Sequence, residues 1–420
     1  MAAIRAEGLY KVFGRRADDA LKALQSGEDR KDVVASTGAT PAVIDASFEV
    51  QAGEIFVVMG LSGSGKSTLI RMLNGLWDTI GGHVYIDGDD ISGLSPADLR
   101  TVRQEKMSMV FQHFALLPHR TVVENAMYAL NVRRVGKDEA REKAVKALEM
   151  VGLAGWEEKY PSQLSGGMKQ RVGLARALAA ETDIMLMDEA FSALDPLIRR
   201  GMQEQLVELQ QQLGKTIVFI THDLNEAMLL GDRIAMMRDG RIEQIGSAEE
   251  ILNDPANDYV AEFVSDVDRT RVLTASNVME PTKALVVGPT GPRNALRVMR
   301  ENQTSVAVVV GRDRRLEGVI TDESAMSGMN KGLESLDGLL DTDVPSVSEN
   351  TVLADLFGPS VESGYALAVV DDDNRLLGVI PRVTLLASMA SLSSTANGNG
   401  SGGDDGGGDE LVGVETSGGQ

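Results

Sequence analysis

Along the first 264 or so residues, short runs of β-branched and other apolar residues alternate with segments whose apolar positions return every three or four residues. That alternation predicts strands followed by crossover helices, the arrangement of an α/β domain. The clearest strands are IFVVM at 55–59, IMLMD at 184–188 and TIVFIT at 216–221. A polar, helix-prone stretch at residues 14–42 separates the first strand from the apolar run at 55–59 and reads as an insertion added to the core sheet. From about residue 271 the pattern becomes a repeat, visible when SVAVVVGRDRRLEGVITDESA is laid over YALAVVDDDNRLLGVIPRVTL, with Gly318 and Gly378 at matching positions 60 residues apart. Each copy offers a strand, a charged turn and a second strand, so two small β-α-β units, about 271–330 and 331–390, would bury together what neither can bury alone. Residues 391–420 are Gly, Ser, Asn and acid with no Lys or Arg, a composition that predicts a disordered tail.

Composition narrows the function classes. At 420 residues the chain exceeds one ordinary core, which predicts two or three domains. Apolar residues make up 43%, yet no run approaches the 18 or so that a membrane span requires, and the N-terminus MAAIRAEGLYKVF has no signal-peptide core. Any membrane role is therefore expected to come through a partner. The formal charge of -21 argues against nucleic acid, because phosphate backbones are bound by basic surfaces. With no Cys, disulfides and thiolate chemistry are excluded.

The strand at 55–59 runs into Gly60-Leu61-Ser62-Gly63-Ser64-Gly65-Lys66-Ser67-Thr68 and then the helical pattern LIRMLNGL. Strand, Gly-rich loop and helix in that order form a P-loop, in which glycines let backbone N–H groups turn inward around a β-phosphate. Lys66 would then reach the β- and γ-phosphates, and the Ser67 hydroxyl would bind Mg²⁺. The strand at 184–188 ends in Asp188, placed to support Mg²⁺, and Glu189 comes next as a second carboxylate able to act as general base toward water. A buried strand ending in two acids is costly unless a metal or hydrogen bonds compensate.

Between these elements lies Leu164-Ser165-Gly166-Gly167-Met168-Lys169-Gln170-Arg171, which resembles the signature motif of ABC ATPases. Gln112 in VFQHFALLPHRTVVEN, Ser192-Ala193-Leu194-Asp195 and Thr221-His222-Asp223 resemble the Q-loop, D-loop and switch histidine of that family, in its order. The resemblance implies that Ser165, Gly166 and Gly167 face the γ-phosphate held by a second copy, so that a homodimer encloses two ATPs. It also implies that Gln112 senses Mg²⁺ and the attacking water, that the loop behind it touches a membrane subunit, and that His222 holds Glu189 and water in line. Asp195 would sit at the shared nucleotide interface, and Phe13 in LYKVFG fits the aromatic that stacks on adenine. Met168 stands where most relatives have Gln.

As far as about residue 390 the chain resembles the ATPase subunit of glycine betaine/proline importers, in which a helical insertion precedes the P-loop and paired CBS domains lie after the ATPase. The implied organisation is a P-loop ABC-type ATPase domain at 1–270, a tandem CBS pair at 271–390 and the tail at 391–420. The implied activity is ATP hydrolysis energising import of compatible solutes, at the cytoplasmic face of the cell membrane. The implied partners are permease subunits and an extracytoplasmic substrate-binding protein. Another amine or amino-acid cargo, and a regulatory nucleotide-binding module, are the alternatives; Glu189 and His222 speak against the latter. CBS pairs often hold a ribose with an acid three residues beyond a Ser or Thr, but here Ser324 stands three beyond Thr321 and Thr384 three beyond Pro381. Arg293, Arg297 and Arg300 recur at helical spacing, joined by Arg312, Arg314 and Arg315, and predict a basic face whose contacts salt would screen.

Overall fold

A computed structural model of the protein describes residues 2–112, 115–265, 270, 273–362 and 364–387; the tail expected at 391–420 lies outside them. Two compact units divide the chain, Met1–Leu273 and Thr274–Gln420.

The first unit runs through β1 (Ala2–Phe13), β2 (Thr40–Gln51), β3 (Ile55–Met59), β4 (Gly81–Ile86), β5 (Asp89–Asp90), β6 (Met107–Val110), β7 (Ile184–Asp188), β8 (Thr216–Thr221), β9 (Arg233–Arg238) and β10 (Arg241–Gly246). A six-stranded sheet has the order β10-β9-β3-β8-β7-β6, parallel except for β10, and a smaller sheet has the order β2-β1-β4-β5. Every residue of β3, β7 and β8 is buried, which is why these strands read as unbroken apolar runs. Their side chains alternate between two cores. Val57, Met59, Met187 and Phe219 face the helices of residues 122–179, whereas Phe56, Val58, Leu186 and Val218 face β1, β2 and the helix Lys66–Leu73. Because β3, β7 and β8 are parallel, their C-terminal ends meet at one edge of the sheet, where α/β folds place their ligands.

The stretch at residues 14–42 forms two helices, Ala17–Gln25 and Arg30–Thr37, between β1 and β2. They carry their own small core, Ala20, Leu24 and Val33 against Val12, Ala39 and Ile44. Asp29 caps the second helix by accepting from the Lys31 N–H, and Gly38 ends it at φ +67°.

The second unit contains β11 (Leu285–Val287), β12 (Val306–Val310), β13 (Leu316–Thr321), β14 (Ser346–Ser348), β15 (Leu367–Val370) and β16 (Leu376–Ile380). β11 to β13 form one three-stranded sheet and β14 to β16 another, each with a parallel and then an antiparallel pair. The repeat extends to register: Gly318 lies opposite Val309 and Gly378 opposite Val369, with a bulge one step later in both. Leu316 N–H donates to the Asn374 carbonyl and Leu376 N–H to the Arg314 carbonyl, each at 3.0 Å, while Val310, Ala368 and Leu376 form a shared core.

The six arginines of the expected basic face belong to two elements. Arg293, Arg297 and Arg300 lie exposed on the helix Pro292–Glu301. Arg312, Arg314 and Arg315 occupy the charged turn between β12 and β13. There Arg314 reaches the Leu376 carbonyl at 3.2 Å and Arg315 the Asp313 carboxylate at 3.5 Å.

Candidate functional site

The P-loop joins β3 to the helix Lys66–Leu73. Gly60 at φ +150° and Gly65 at φ +108° adopt conformations closed to other residues, and neither site has room for a side chain: a Cβ would lie 2.0 Å from the Met237 carbonyl oxygen and 2.1 Å from that of Ala42. The loop is thus clasped between β2 and the β9–β10 turn, whose Gly240 N–H donates to the Ser64 carbonyl at 2.9 Å. Arg30 of the insertion holds that turn through Asp239 at 2.9 Å. Ser62 and Gly63 are exposed, Ser64 is buried, and Thr68 closes the first turn by donating its N–H to the Gly65 carbonyl.

Lys66 is buried and donates from Nζ to the Gly60 and Leu61 carbonyls at 2.8 and 3.1 Å, folded back into the loop it serves. Burial pulls its pKa below the usual lysine value, against the opposing pull of the Glu189 and Asp188 carboxylates. The Ser67 hydroxyl donates to Asp188 Oδ1 at 3.1 Å. Arg71 reaches Asp188 Oδ2 at 3.5 Å from the same helix, a contact that sequence reading missed. Burial nonetheless lifts the Asp188 carboxyl above the usual range, and Ser67 and Arg71 only partly offset it.

Glu189 sits just past β7 at φ +46°, an uncommon conformation for a residue with a side chain, held by its N–H donating to the Ile220 carbonyl at 3.0 Å. Two groups converge on its Oε2: the Gln112 amide donates at 2.9 Å, and His222 Nδ1 lies 3.4 Å away. Gln112 also reaches the Ser192 hydroxyl at 3.3 Å. Lys66, Ser67, Gln112, Asp188, Glu189 and His222, scattered over more than 150 residues of sequence, therefore meet at the C-terminal edge of the sheet.

Ser165, Gly166, Gly167 and Asp195 lie elsewhere. Ser165 caps the helix Gly166–Ala179 by accepting from the Met168 N–H at 3.3 Å, and Gly167 is pressed so closely on Ile198 that a Cβ would meet it at 2.7 Å. Asp195 caps the helix Pro196–Leu213 by accepting from the Leu197 N–H at 3.2 Å. Among the described residues no hydrogen bond or ion pair joins Ser165 or the glycines to the Glu189 cluster. Phe13 stands edge-on to Trp77, ring centres 5.4 Å apart, with Lys11 Nζ 5.4 Å from its ring centre. Trp77 is a second aromatic that the sequence did not signal, since it comes after the P-loop helix with no motif around it.

No cluster of three His, Cys, Asp or Glu suited to a metal occurs among the described residues. The pairing of one hydroxyl with one buried carboxylate, Ser67 with Asp188, is instead a partial ligand set of the kind that holds Mg²⁺ together with substrate phosphates. The unmet charge on Asp188 fits such a cation.

Comparison with known proteins bears on the whole chain. The family model for the ABC transporter matches residues 43–192 and that for the CBS domain residues 336–391. The chain is 48% identical over 397 residues to the glycine betaine transport ATP-binding protein OpuAA of Bacillus subtilis, covering 94% of each. It is 48% identical to the glycine betaine/carnitine transport ATP-binding protein GbuA of Listeria monocytogenes, covering 94% of this chain and 100% of that one. Identity to the glycine betaine/proline betaine transport system ATP-binding protein ProV of Escherichia coli is 44%, covering 91% and 96%. Among solved structures, the dimeric post-hydrolysis state of the ATP-binding cassette MJ0796 bound to ADP and Pi matches with a TM-score of 0.50 and 31% identity, over 58% of this chain and 98% of that one.

Proposed function

The chain belongs to the ABC transporter ATP-binding proteins, and from that premise we propose that it hydrolyses ATP to drive import of glycine betaine or a related quaternary amine through a separate permease. The observation that carries the reading is the convergence of Gln112 and His222 on Glu189 beside a P-loop, in a chain aligned over 91–94% of its length with betaine-transport relatives.

The P-loop N–H groups and Lys66 bind the β- and γ-phosphates, and the Phe13 ring offers a face for adenine. Ser67 and Asp188 hold Mg²⁺, which when bound neutralises phosphate charge. Glu189 accepts a proton from water as its oxygen bonds to the γ-phosphorus; the bond to the β-phosphate oxygen breaks, releasing ADP and phosphate. Gln112 and His222, both on Oε2, keep that carboxylate aimed. Ser165, Gly166, Gly167 and Asp195 are left to a second copy, whose γ-phosphate they complete as a homodimer forms.

Among the described residues no helix is long and apolar enough to cross a membrane. An apolar groove of about 460 Å³, lined by Met109, Leu117, Tyr128, Val132 and Phe111, the residue before Gln112 in sequence, suits a permease segment. The chain then works at the cytoplasmic face, with an extracytoplasmic binding protein delivering the solute.

The test is uptake of labelled glycine betaine at high osmolarity in cells lacking the chain, complemented with wild type or Glu189→Gln. Wild type restores uptake; Glu189→Gln binds ATP but hydrolyses it roughly 10²–10⁴-fold more slowly and does not. Wild-type ATPase activity without betaine uptake would overturn the cargo, and normal hydrolysis by Glu189→Gln would overturn the site.

A further inference from the structure

The two loops that carry the hydrolytic pair are tied together from behind by one face of the helix Pro196–Leu213. Arg199 and Gln203 lie one turn apart on it and reach the two ends of the short segment around His222, Asp223 and Glu226. Arg199 Nη1 lies 3.4 Å from Asp223 Oδ2, and its Nη2 donates to the Ser192 and Leu194 carbonyls at 3.3 and 3.2 Å. Gln203 donates to Glu226 Oε1 at 2.9 Å; the other Glu226 oxygen accepts the Thr221 hydroxyl, which in turn accepts the Asp223 N–H at 2.9 Å. Glu226 and Gln203 are 5% and 6% exposed. Both residues flanking His222 are therefore anchored to this helix. The same guanidinium also grips the backbone just after Glu189, where the Ser192 hydroxyl donates to the Glu189 carbonyl at 2.9 Å.

Glu189 and His222 themselves are on separate loops, after β7 and β8. Backbone pairing of β7 with β8, ending in the Glu189 N–H on the Ile220 carbonyl, registers the strand ends, but the two side chains beyond it meet at 3.4 Å with His222 half exposed, a contact too weak to fix their separation. A planar fork with donors on both sides can fix it, and only Arg supplies one.

We propose that Arg199 is a positioning residue for hydrolysis: by clamping the Asp223 carboxylate and the Ser192 and Leu194 carbonyls at once, it sets the separation between His222 and Glu189. The inference rests on the reading of that pair as the hydrolytic machinery. Arg199 touches neither nucleotide phosphate nor water in this role, so its loss leaves binding intact and impairs turnover.

The experiment uses the purified full-length chain with Arg199→Ala, Arg199→Lys, Asp223→Asn, the Arg199→Ala/Asp223→Asn pair, and His222→Ala as benchmark. Steady-state kcat and KM, the Kd of a fluorescent ATP analogue and the thermal midpoint are measured for each. Asn keeps the helix cap that Asp223 provides while removing its charge. Arg199→Ala should lower kcat on the order of ten-fold, the scale of a small misplacement of reacting groups, with KM and Kd within about two-fold of wild type. Arg199→Lys should fall between, since a point charge cannot serve a carboxylate and two carbonyls together. The double variant should be no slower than Arg199→Ala alone. Losses that multiply in the double variant, or a kcat loss matched by a changed KM or a collapsed thermal midpoint, would overturn the proposal. If His222→Ala keeps wild-type kcat, the hydrolytic reading itself falls; if His222→Ala is impaired while Arg199→Ala is not, only the positioning role falls.

Discussion

Replacing Asp188 with Asn should make the nucleotide-free protein more stable while abolishing its Mg²⁺-dependent activity. The Asp188 side chain is 8% exposed, with one neutral donor at 3.1 Å and one guanidinium at 3.5 Å whose own side chain is 42% exposed. A buried charge so incompletely met costs about 1–3 kcal/mol, and an ion pair to a half-exposed Arg returns at most about 1 kcal/mol. Asn fits the same space without the charge, so the gain at about pH 7.5 should be near 1–2 kcal/mol, or roughly 2–6 °C in midpoint for a unit of this size. The pH dependence fixes the cause. Because the folded pKa of Asp188 is raised above its unfolded value, the folded state holds the proton more tightly, and stability is lost as pH rises from about 3.9 through the folded value. The gap between variant and wild type should therefore be full near pH 7.5 and narrow steadily toward pH 4–5. Tryptophan fluorescence isolates the relevant unit, since Trp77 and Trp156, the two tryptophans, both lie in Met1–Leu273. Added Mg²⁺ and ATP should raise the wild-type midpoint by binding linkage and the variant's far less. An equal or lower midpoint for Asp188→Asn at pH 7.5, or a difference that ignores pH, would refute the account.

The same geometry sets two further outcomes. Gly63→Ala meets open space and should cost only the positive-φ strain, about 1–2 kcal/mol, whereas Gly65→Ala drives a Cβ to 2.1 Å from the Ala42 oxygen and should lower the midpoint several times more, as thermal unfolding of the pair would show. Phe13→Ala should weaken ATP binding on the order of ten-fold, from a stacking contribution of about 1–3 kcal/mol, while leaving inorganic triphosphate binding unchanged; equal ATP affinity by titration calorimetry would remove Phe13 from the base site.

How much of the fold and site was legible in the chain divides along a physical line. The strands at 55–59, 184–188 and 216–221 announced themselves because central parallel strands are buried on both faces and so are apolar throughout. The P-loop is a contiguous segment whose chemistry is its own backbone, so Gly60 to Thr68 could be read without a fold. The repeat at 60-residue spacing survived into strand register because both copies must present matching edges to one shared core. The basic face was legible only in part: the helical period marks Arg293, Arg297 and Arg300, whereas Arg312, Arg314 and Arg315 belong to the charged turn between two strands, and no period says which way a turn faces relative to a helix.

Tertiary structure alone decided what lies behind the motifs. Arg71 on Asp188, Arg199 on Asp223, Gln203 on Glu226 and Arg30 on Asp239 join residues 23 to 209 apart in sequence. No period or motif marks such pairs, because each depends on which strand ends the sheet order brings side by side. The sequence alone thus marked the candidate groups for the chemistry, through local backbone and residue type. The fold determined their spacing and their charge environment, because burial, desolvation and the clamping of separate loops exist only once distant segments pack.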